Sequence, residues 1–305
     1  GGGRGMAERV EAEWQIIVDR KPGAQQGTFL RTLRMVLRNP LGTVGLLIIL
    51  GLTAVALAAP LLAPANPLAM NKPDQFSPPS SQYLFGSDEF GRDILSRVIY
   101  GARISLGAGA AAVLVATAIG VPLGLFAGYF GGRVDTLIMR LLDCLLAFPA
   151  ILLAMAIVGV LGPSSLNAMI AVAIVSIPAF SRLTRGSTLS QREKEYVEAA
   201  RALDAGNAYI MFRTILPNCF APIIVQMTVA AAYAVLLEAG LSFLGLGTKP
   251  PEASWGSMLN TGRAYLHRAP WYGIFPGLAI TILVLALNFV ADVLQQALDP
   301  TRRAL

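Results

Sequence analysis

Residues 104–130 read ISLGAGAAAVLVATAIGVPLGLFAGYF, a run without one charged side chain. As a helix it would be about 40 Å long at 1.5 Å per residue, and about 20 apolar residues already cross the hydrocarbon of a bilayer. Its glycines and alanines allow a neighbouring helix to approach closely. Working outward, the same test finds five more segments. Residues 41–64 carry no charge, and 136–161 are interrupted by Pro149 and contain Asp143. Residues 166–180 with their flanks make a shorter span, 219–246 contain Glu238, and 273–294 contain Asn288 and Asp292. The expected fold class is all-α, a polytopic membrane protein with six transmembrane helices.

Composition agrees. Of 305 residues, 55% are hydrophobic and 14% charged, and mean hydropathy is +0.61. A soluble domain carries about 25% charged residues. Disorder is excluded, because the chain is apolar and its net charge of +6 is modest. Two cysteines make no disulfide framework and one histidine no multi-histidine metal site. Basic residues orient the spans. With the N-terminus cytoplasmic, only Lys72, Arg92, Arg97, Arg103, Lys249, Arg263 and Arg268 of the 24 lysines and arginines fall outside. Both termini are therefore expected in the cytoplasm. Cys144 and Cys219 then lie near the inner side, where thiols stay reduced.

Residues 1–5 read as a remnant of expression ahead of Met6 and are set aside. Residues 6–40 form a polar cytoplasmic segment, and 41–305 the transmembrane domain. Arg31, Arg34 and Arg38 share one face of a helix over 29–38, suited to an interface with anionic lipid. The periplasmic segments 65–103 and 248–272 each contain a Pro-Pro pair and apolar residues, so both are expected to be ordered. Trp255, Trp271 and Tyr272 suit the outer aromatic belt. The basic balance is explained by loops near anionic lipid, and nothing points to nucleic acid.

The connection over 182–217 is too long to be idle. Its middle, Lys194 to Leu203, is strong helix-forming sequence, with Lys194 and Glu198 spaced to pair. Tyr196, Ala199, Ala200 and Leu203 make a shallow apolar face. After a break at 204–207 a second short helix, 209–216, is expected to end at Pro217. Two such helices at a membrane surface suit a partner's groove, or a cap packed only on its own spans. No lysine follows a glycine, so there is no phosphate-binding loop. His267 alone makes no zinc-protease motif, and no Gly-x-Ser-x-Gly elbow occurs. The chain is read as non-catalytic, with no bound cofactor or metal. Ionisable groups in spans are functional candidates. Asp143 and Asp292 sit near span ends, where solvation or pairing, for instance of Asp143 with Arg140, gives them structural roles. Glu238 either lines a path or bonds a neighbouring helix, and Asn288 likewise.

Glu198-Ala199-Ala200 followed by Leu216-Pro217 resembles the EAA loop of ABC-importer permease subunits. Phe85-Gly86-Ser87-Asp88-Glu89-Phe90-Gly91-Arg92-Asp93, Leu241 to Gly247, Trp255-Gly256, Phe275-Pro276-Gly277 and Ala297-Leu298-Asp299-Pro300 are similar to the C-type subunits of dipeptide/oligopeptide importers. The resemblance covers about residues 28–302. It implies an ATPase-coupling loop made by Glu195, Glu198, Ala199, Ala200, Arg201, Leu203, Asp204, Gly206, Leu216 and Pro217. It implies, as partners, a second homologous permease subunit, one or two ATPase subunits that hold ATP and Mg, a periplasmic or lipoprotein substrate-binding protein and membrane lipid. The implied function is ATP-driven alternating access for peptides at the inner membrane, with glutathione or nickel as other cargoes. An ion-driven secondary transporter and a membrane enzyme or assembly subunit are the readings of another class. Asp204 stands at the motif's glycine and Thr214 at its isoleucine. The turn is expected to survive, shifted toward Gly206, with Asp204 able to cap the second helix. Near the C-terminus Ala291, Gln295 and Gln296 depart from the family pattern.

Overall fold

The computed structural model describes residues 35–298. Most of the segment 6–40 and the ends of the chain lie outside the described residues, as does all but the last turn of the interfacial helix expected over 29–38. Helix α1 (Pro40–Leu57) starts where the Asn39 side chain accepts from the Leu41 amide at 3.0 Å, with Pro40 pre-set in the first turn. A short α2 (Ala59–Leu62) turns a corner, and α3 (Ile94–Phe130) follows with 37 residues, about 55 Å. It starts ten residues before the charge-free run, because Asp93 caps it there, accepting from the Ser96 amide at 2.8 Å. Hydropathy marks where membrane ends, and the helix is free to continue past that point with Arg97 and Arg103 on it.

The expected third span is two helices, α4 (Gly132–Leu146) and α5 (Ala150–Leu161), bent by 89°. Pro149 removes an amide donor and keeps Phe148 out of helical geometry. Helix α4 buries only Leu142 and is tied to the next helix by charge. Arg185 grips Asp135 through two bonds of 2.5 and 2.6 Å, and Arg182 reaches Asp143 at 2.6 Å. Asp143 thus pairs with Arg182 rather than with Arg140.

Helix α6 (Ser165–Arg192) continues twelve residues past the expected end of the fourth span. It packs on α3 through Gly120, Gly124 and Gly128, which meet Phe180, Ser181 and Thr188 in that order. A side chain on Gly120 or Gly128 would place its Cβ 2.7 Å from a carbon of α6. Residue numbers rise together along this contact, so α3 and α6 run parallel. The chain between them must return the length of the bundle, and the bent pair α4–α5 is that return. Six crossings result from five long apolar helices and one broken one.

Helix α7 (Glu195–Ala202) is followed by one continuous helix, α8 (Asn207–Phe243). The expected stop at Pro217 is absent. A π-helical turn over Ile210–Ile215 widens the helix just before the proline, where its ring would otherwise collide with the carbonyl of Arg213. Helix α9 (Trp255–Arg263) lies in a cap at the opposite end, and α10 (Trp271–Leu298) returns against α1. Gly42 faces Val293 and Gly45 faces Ala286, so those two helices are antiparallel.

The cap has its own core of Ile94, Met258 and Tyr272, with Trp255 in an adjoining cluster. Trp255 and Tyr272 are buried, and the Trp255 indole donates to the Val98 carbonyl at 2.9 Å. Trp271 is bonded to the Ser87 carbonyl at 3.4 Å. Two of the residues expected in a lipid-facing belt are therefore protein core. The cap supplies enough surface to bury them, which hydropathy does not register.

Candidate functional site

The connection between α6 and α8 is built as an exposed rim on a buried anchor. Val197 is fully buried, in the same cluster as Leu125, Tyr129, Ile210 and Met211. Around it Glu195, Glu198, Ala199, Arg201, Leu203, Asp204 and Gly206 are exposed, and Leu203 is 84% so. Tyr209 and Phe212 add exposed aromatic surface beside it. Ala200 is half-buried and turns inward.

Helix α7 ends in a Schellman turn. The Ala205 amide donates to the Ala200 carbonyl at 3.1 Å and that of Asp204 to Arg201 at 2.9 Å. Asp204 takes the left-handed conformation at φ +55, so the turn stays on the aspartate and does not shift to Gly206. Its side chain does not cap the next helix, for which Gly206 is the N-cap residue. The rim is fastened to α3. Tyr129 donates from its hydroxyl to Asn207 at 2.7 Å, Arg201 lies 6.0 Å from the Tyr129 ring, and Arg192 bonds the Gly128 and Tyr129 carbonyls, each at 3.2 Å. The Tyr196 hydroxyl donates to Gln191 at 2.6 Å. No ion pair joins Lys194 and Glu198 among the described residues. Leu216 and Pro217 are half-buried inside α8, beyond the wide turn and off the exposed rim.

Halfway along the bundle, at the 89° bend, a cavity of about 330 Å³ opens between the α4–α5 junction, α6 and α8. Phe148, Ser176, Gln226, Ala230 and Tyr233 line it. Its walls are apolar with an amide, a phenol and a hydroxyl, a lining that holds a small molecule by shape and a few directed bonds. Glu238 and Asn288, the residues singled out from sequence, do not line it. Glu238 is buried about one and a half turns from the cap end of α8, accepting from the Ser242 hydroxyl at 2.8 Å. Asn288 is exposed on α10 with no side-chain hydrogen bond among the described residues. The two sit on different helices and are not brought together. Gln226 and Tyr233 were legible as polar residues in an apolar run. What selects them is the bend opposite, which only the structure places.

The model of the binding-protein-dependent transport system inner membrane component family matches residues 120–304. The chain belongs to that family. A second match, to the N-terminal transmembrane domain of oligopeptide transport permease C, covers residues 28–79 of the permease. It is 47% identical to the dipeptide transport system permease protein DppC of Alkalihalophilus pseudofirmus, over 88% of each chain. It is 45% identical to the glutathione transport system permease protein GsiD of Pectobacterium atrosepticum, over 88% of this chain and 89% of that one. Among solved structures, a chain of the MetNI methionine ABC transporter in inward-facing conformations has a TM-score of 0.53. That match covers 68% of the permease and 96% of the other chain at 17% identity, a likeness of fold. The permease is a multi-pass protein of the bacterial inner membrane, the membrane component of a binding-protein-dependent importer.

Its Phe85–Asp93 motif turns out to be a charge knot at the head of α3. Asp88, wholly buried, accepts from the amides of Phe90 and Arg92 at 2.8 and 2.9 Å and pairs with the Arg92 Nε at 2.6 Å. Arg92 also meets Glu89 at 3.0 Å, and Arg97 lies 3.5 Å from Asp88. Paired in this way, buried charges hold a geometry that either partner alone would destroy.

Proposed function

We propose that this permease subunit carries dipeptides and short oligopeptides across the inner membrane by alternating access, driven by ATP hydrolysed with Mg on separate subunits. The observation that carries the reading is the continuity of α8. One end joins the exposed rim of α7, and the middle lines the cavity with Gln226 and Tyr233. A partner that moves the rim thereby moves a cavity wall. The rim, with Glu195, Glu198, Ala199, Arg201, Leu203, Asp204 and Gly206, is the docking surface for an ATPase subunit, and Ala200, Leu216 and Pro217 support it from within. The docked contact must differ in free energy between the two access states, since a ligand shifts an equilibrium only by that difference.

In this reading α7 and both termini lie in the cytoplasm. The cap of 65–103 and 248–272 faces an external binding protein, and a homologous permease covers the cavity. The names of the dipeptide relatives support a peptide cargo. Glutathione, itself a short peptide, is the second reading, supported by relatives of similar identity. Nickel loses ground, since no histidine lies in a span. The test is uptake by the complete complex in vesicles. Labelled dipeptide should accumulate only with ATP and binding protein, and Glu198→Arg should abolish uptake together with ATPase retention. Uptake without ATP, or a charge reversal that keeps the ATPase bound, would overturn the proposal.

A further inference from the structure

At the cap end a second cavity, of about 660 Å³, separates the α1–α2 corner from the first turns of α3. Its height in the membrane is fixed by sequence. Helix α1 has 18 residues, about 27 Å, and its end is the end of a hydrocarbon crossing. Arg103, on the cavity wall, is the last charged side chain of α3 before the charge-free run. On α1 and α2, whose Pro60 lines the cavity, Leu57 and Leu61 are 76% and 89% exposed, an apolar surface suited to acyl chains. The cavity therefore opens at headgroup level.

Its chemistry is that of a phosphate seat with one acid. Arg97 is buried, donates to the Pro67 carbonyl at 3.3 Å and turns its Nε to the Asp88 carboxylate at 3.5 Å, so it forms the back wall. Arg103 forms no ion pair and Tyr100 no side-chain hydrogen bond among the described residues. Glu252 lines the same space on the cap side. Behind Arg97, Asp88 and Glu89 balance Arg92 and Arg97. That leaves Arg103 against Glu252, a pocket with separated signs and no net charge.

We propose that this cavity binds the headgroup of a phosphatidylethanolamine-type lipid. Its phosphodiester accepts from Arg103 and Tyr100, and its ammonium donates to Glu252. Arginine's planar fork suits phosphate oxygens, and bonds to a charged acceptor are the strong ones. The lipid would brace the α1–α2 corner against α3 in the leaflet at the cap end, whatever cargo the permease carries.

The test is native mass spectrometry of the complete transporter released from nanodiscs of mixed phosphatidylethanolamine, phosphatidylglycerol and phosphatidylcholine. The parent should retain phosphatidylethanolamine above its share of the mixture. The Arg103→Gln, Tyr100→Phe double variant should hold it roughly tenfold less tightly, the loss of one charge-assisted bond or more. Ala63→Trp, which fills the cavity from another element, should release it too, while Arg133→Gln in the first turn of α4, at the opposite end of the bundle, should not. Unchanged retention in both cavity variants would overturn the assignment. So would preferential retention of phosphatidylglycerol, equal loss in Arg133→Gln, or displacement of the lipid by inorganic phosphate or by a dipeptide.

Discussion

Replacing Leu203 by alanine tests the docking rim at its most exposed apolar point. The change removes three carbons. Fully buried, these are worth about 0.8 kcal/mol each, or about 2.4 kcal/mol. Leu203 leaves 84% of its surface open in the isolated permease, so about 2 kcal/mol of that gain is available to a partner. Its loss should weaken ATPase docking about 30-fold. Folding should hardly notice, since truncating an exposed side chain changes stability by about 0.5 kcal/mol or less. The assay is titration of purified ATPase onto the permease pair in nanodiscs, with thermal unfolding measured alongside. Val197→Ala is the contrast, because it opens the buried anchor and should lower the unfolding temperature. A Leu203→Ala variant that binds the ATPase within threefold of the parent would refute the reasoning, for then nothing covers this side chain.

Asp204 holds a left-handed turn that costs most residues about 1–2 kcal/mol. Asp204→Gly should keep uptake and gain a few tenths of a kcal/mol or more in thermal unfolding, whereas Asp204→Val should lose both stability and coupling. Gly124 lies against Ser181 and Thr184 with no room for a Cβ. Gly124→Leu should force α3 from α6, cost about 3 kcal/mol or more, and lower the amount of folded protein recovered from membranes. Glu238→Gln keeps an acceptor for Ser242, so uptake should persist. Glu238→Leu strands the Ser242 hydroxyl and should cost about 1–3 kcal/mol in unfolding measurements. Loss of uptake in Glu238→Gln with unchanged stability would instead place the carboxyl in the path.

Much of this architecture was legible because the bilayer imposes a simple rule. A run such as 104–130 has to be a helix, since no other single segment satisfies its own backbone in hydrocarbon. The rule says nothing of where helices end in water. That is why α3 begins at Ile94 and α6 continues to Arg192, both beyond their apolar runs. The stop expected at Pro217 failed for a local reason, the wide turn at Ile210–Ile215 that accommodates the ring. The exposed rim was readable from the spacing of Glu198, Ala199 and Leu203, but its anchor was not. Val197 looks like any β-branched residue in a polar helix until Leu125 and Tyr129 are placed around it. Glu238 attracted attention because a carboxyl in a span is costly. Its hydroxyl partner, Ser242, was only four residues away in the same sequence.

The parallel contact between α3 and α6 constrains how the broken pair can work. Because Gly120, Gly124 and Gly128 lock the two long helices, neither slides past the other without losing close packing along three turns. Helices α4 and α5 are attached far less tightly, α4 chiefly through Arg182–Asp143 and Arg185–Asp135 on a partly exposed face. On the other wall of the cavity, α8 is pinned to α3 at its start by the Tyr129–Asn207 bond, but the wide turn lies between that pin and Gln226. The rigid part of the permease is therefore the α3–α6 pair. The cavity is bounded on one side by α6 of that pair and on the others by the two elements with a built-in break. A force applied at Leu203 reaches α8 at its first turn, and the continuous helix passes it through Ile210–Ile215 to the cavity wall. In the proposed cycle the angle changes at these two breaks, Ile210–Ile215 and Pro149, and Gln226, Tyr233 and Phe148 are the cavity residues such a change would carry.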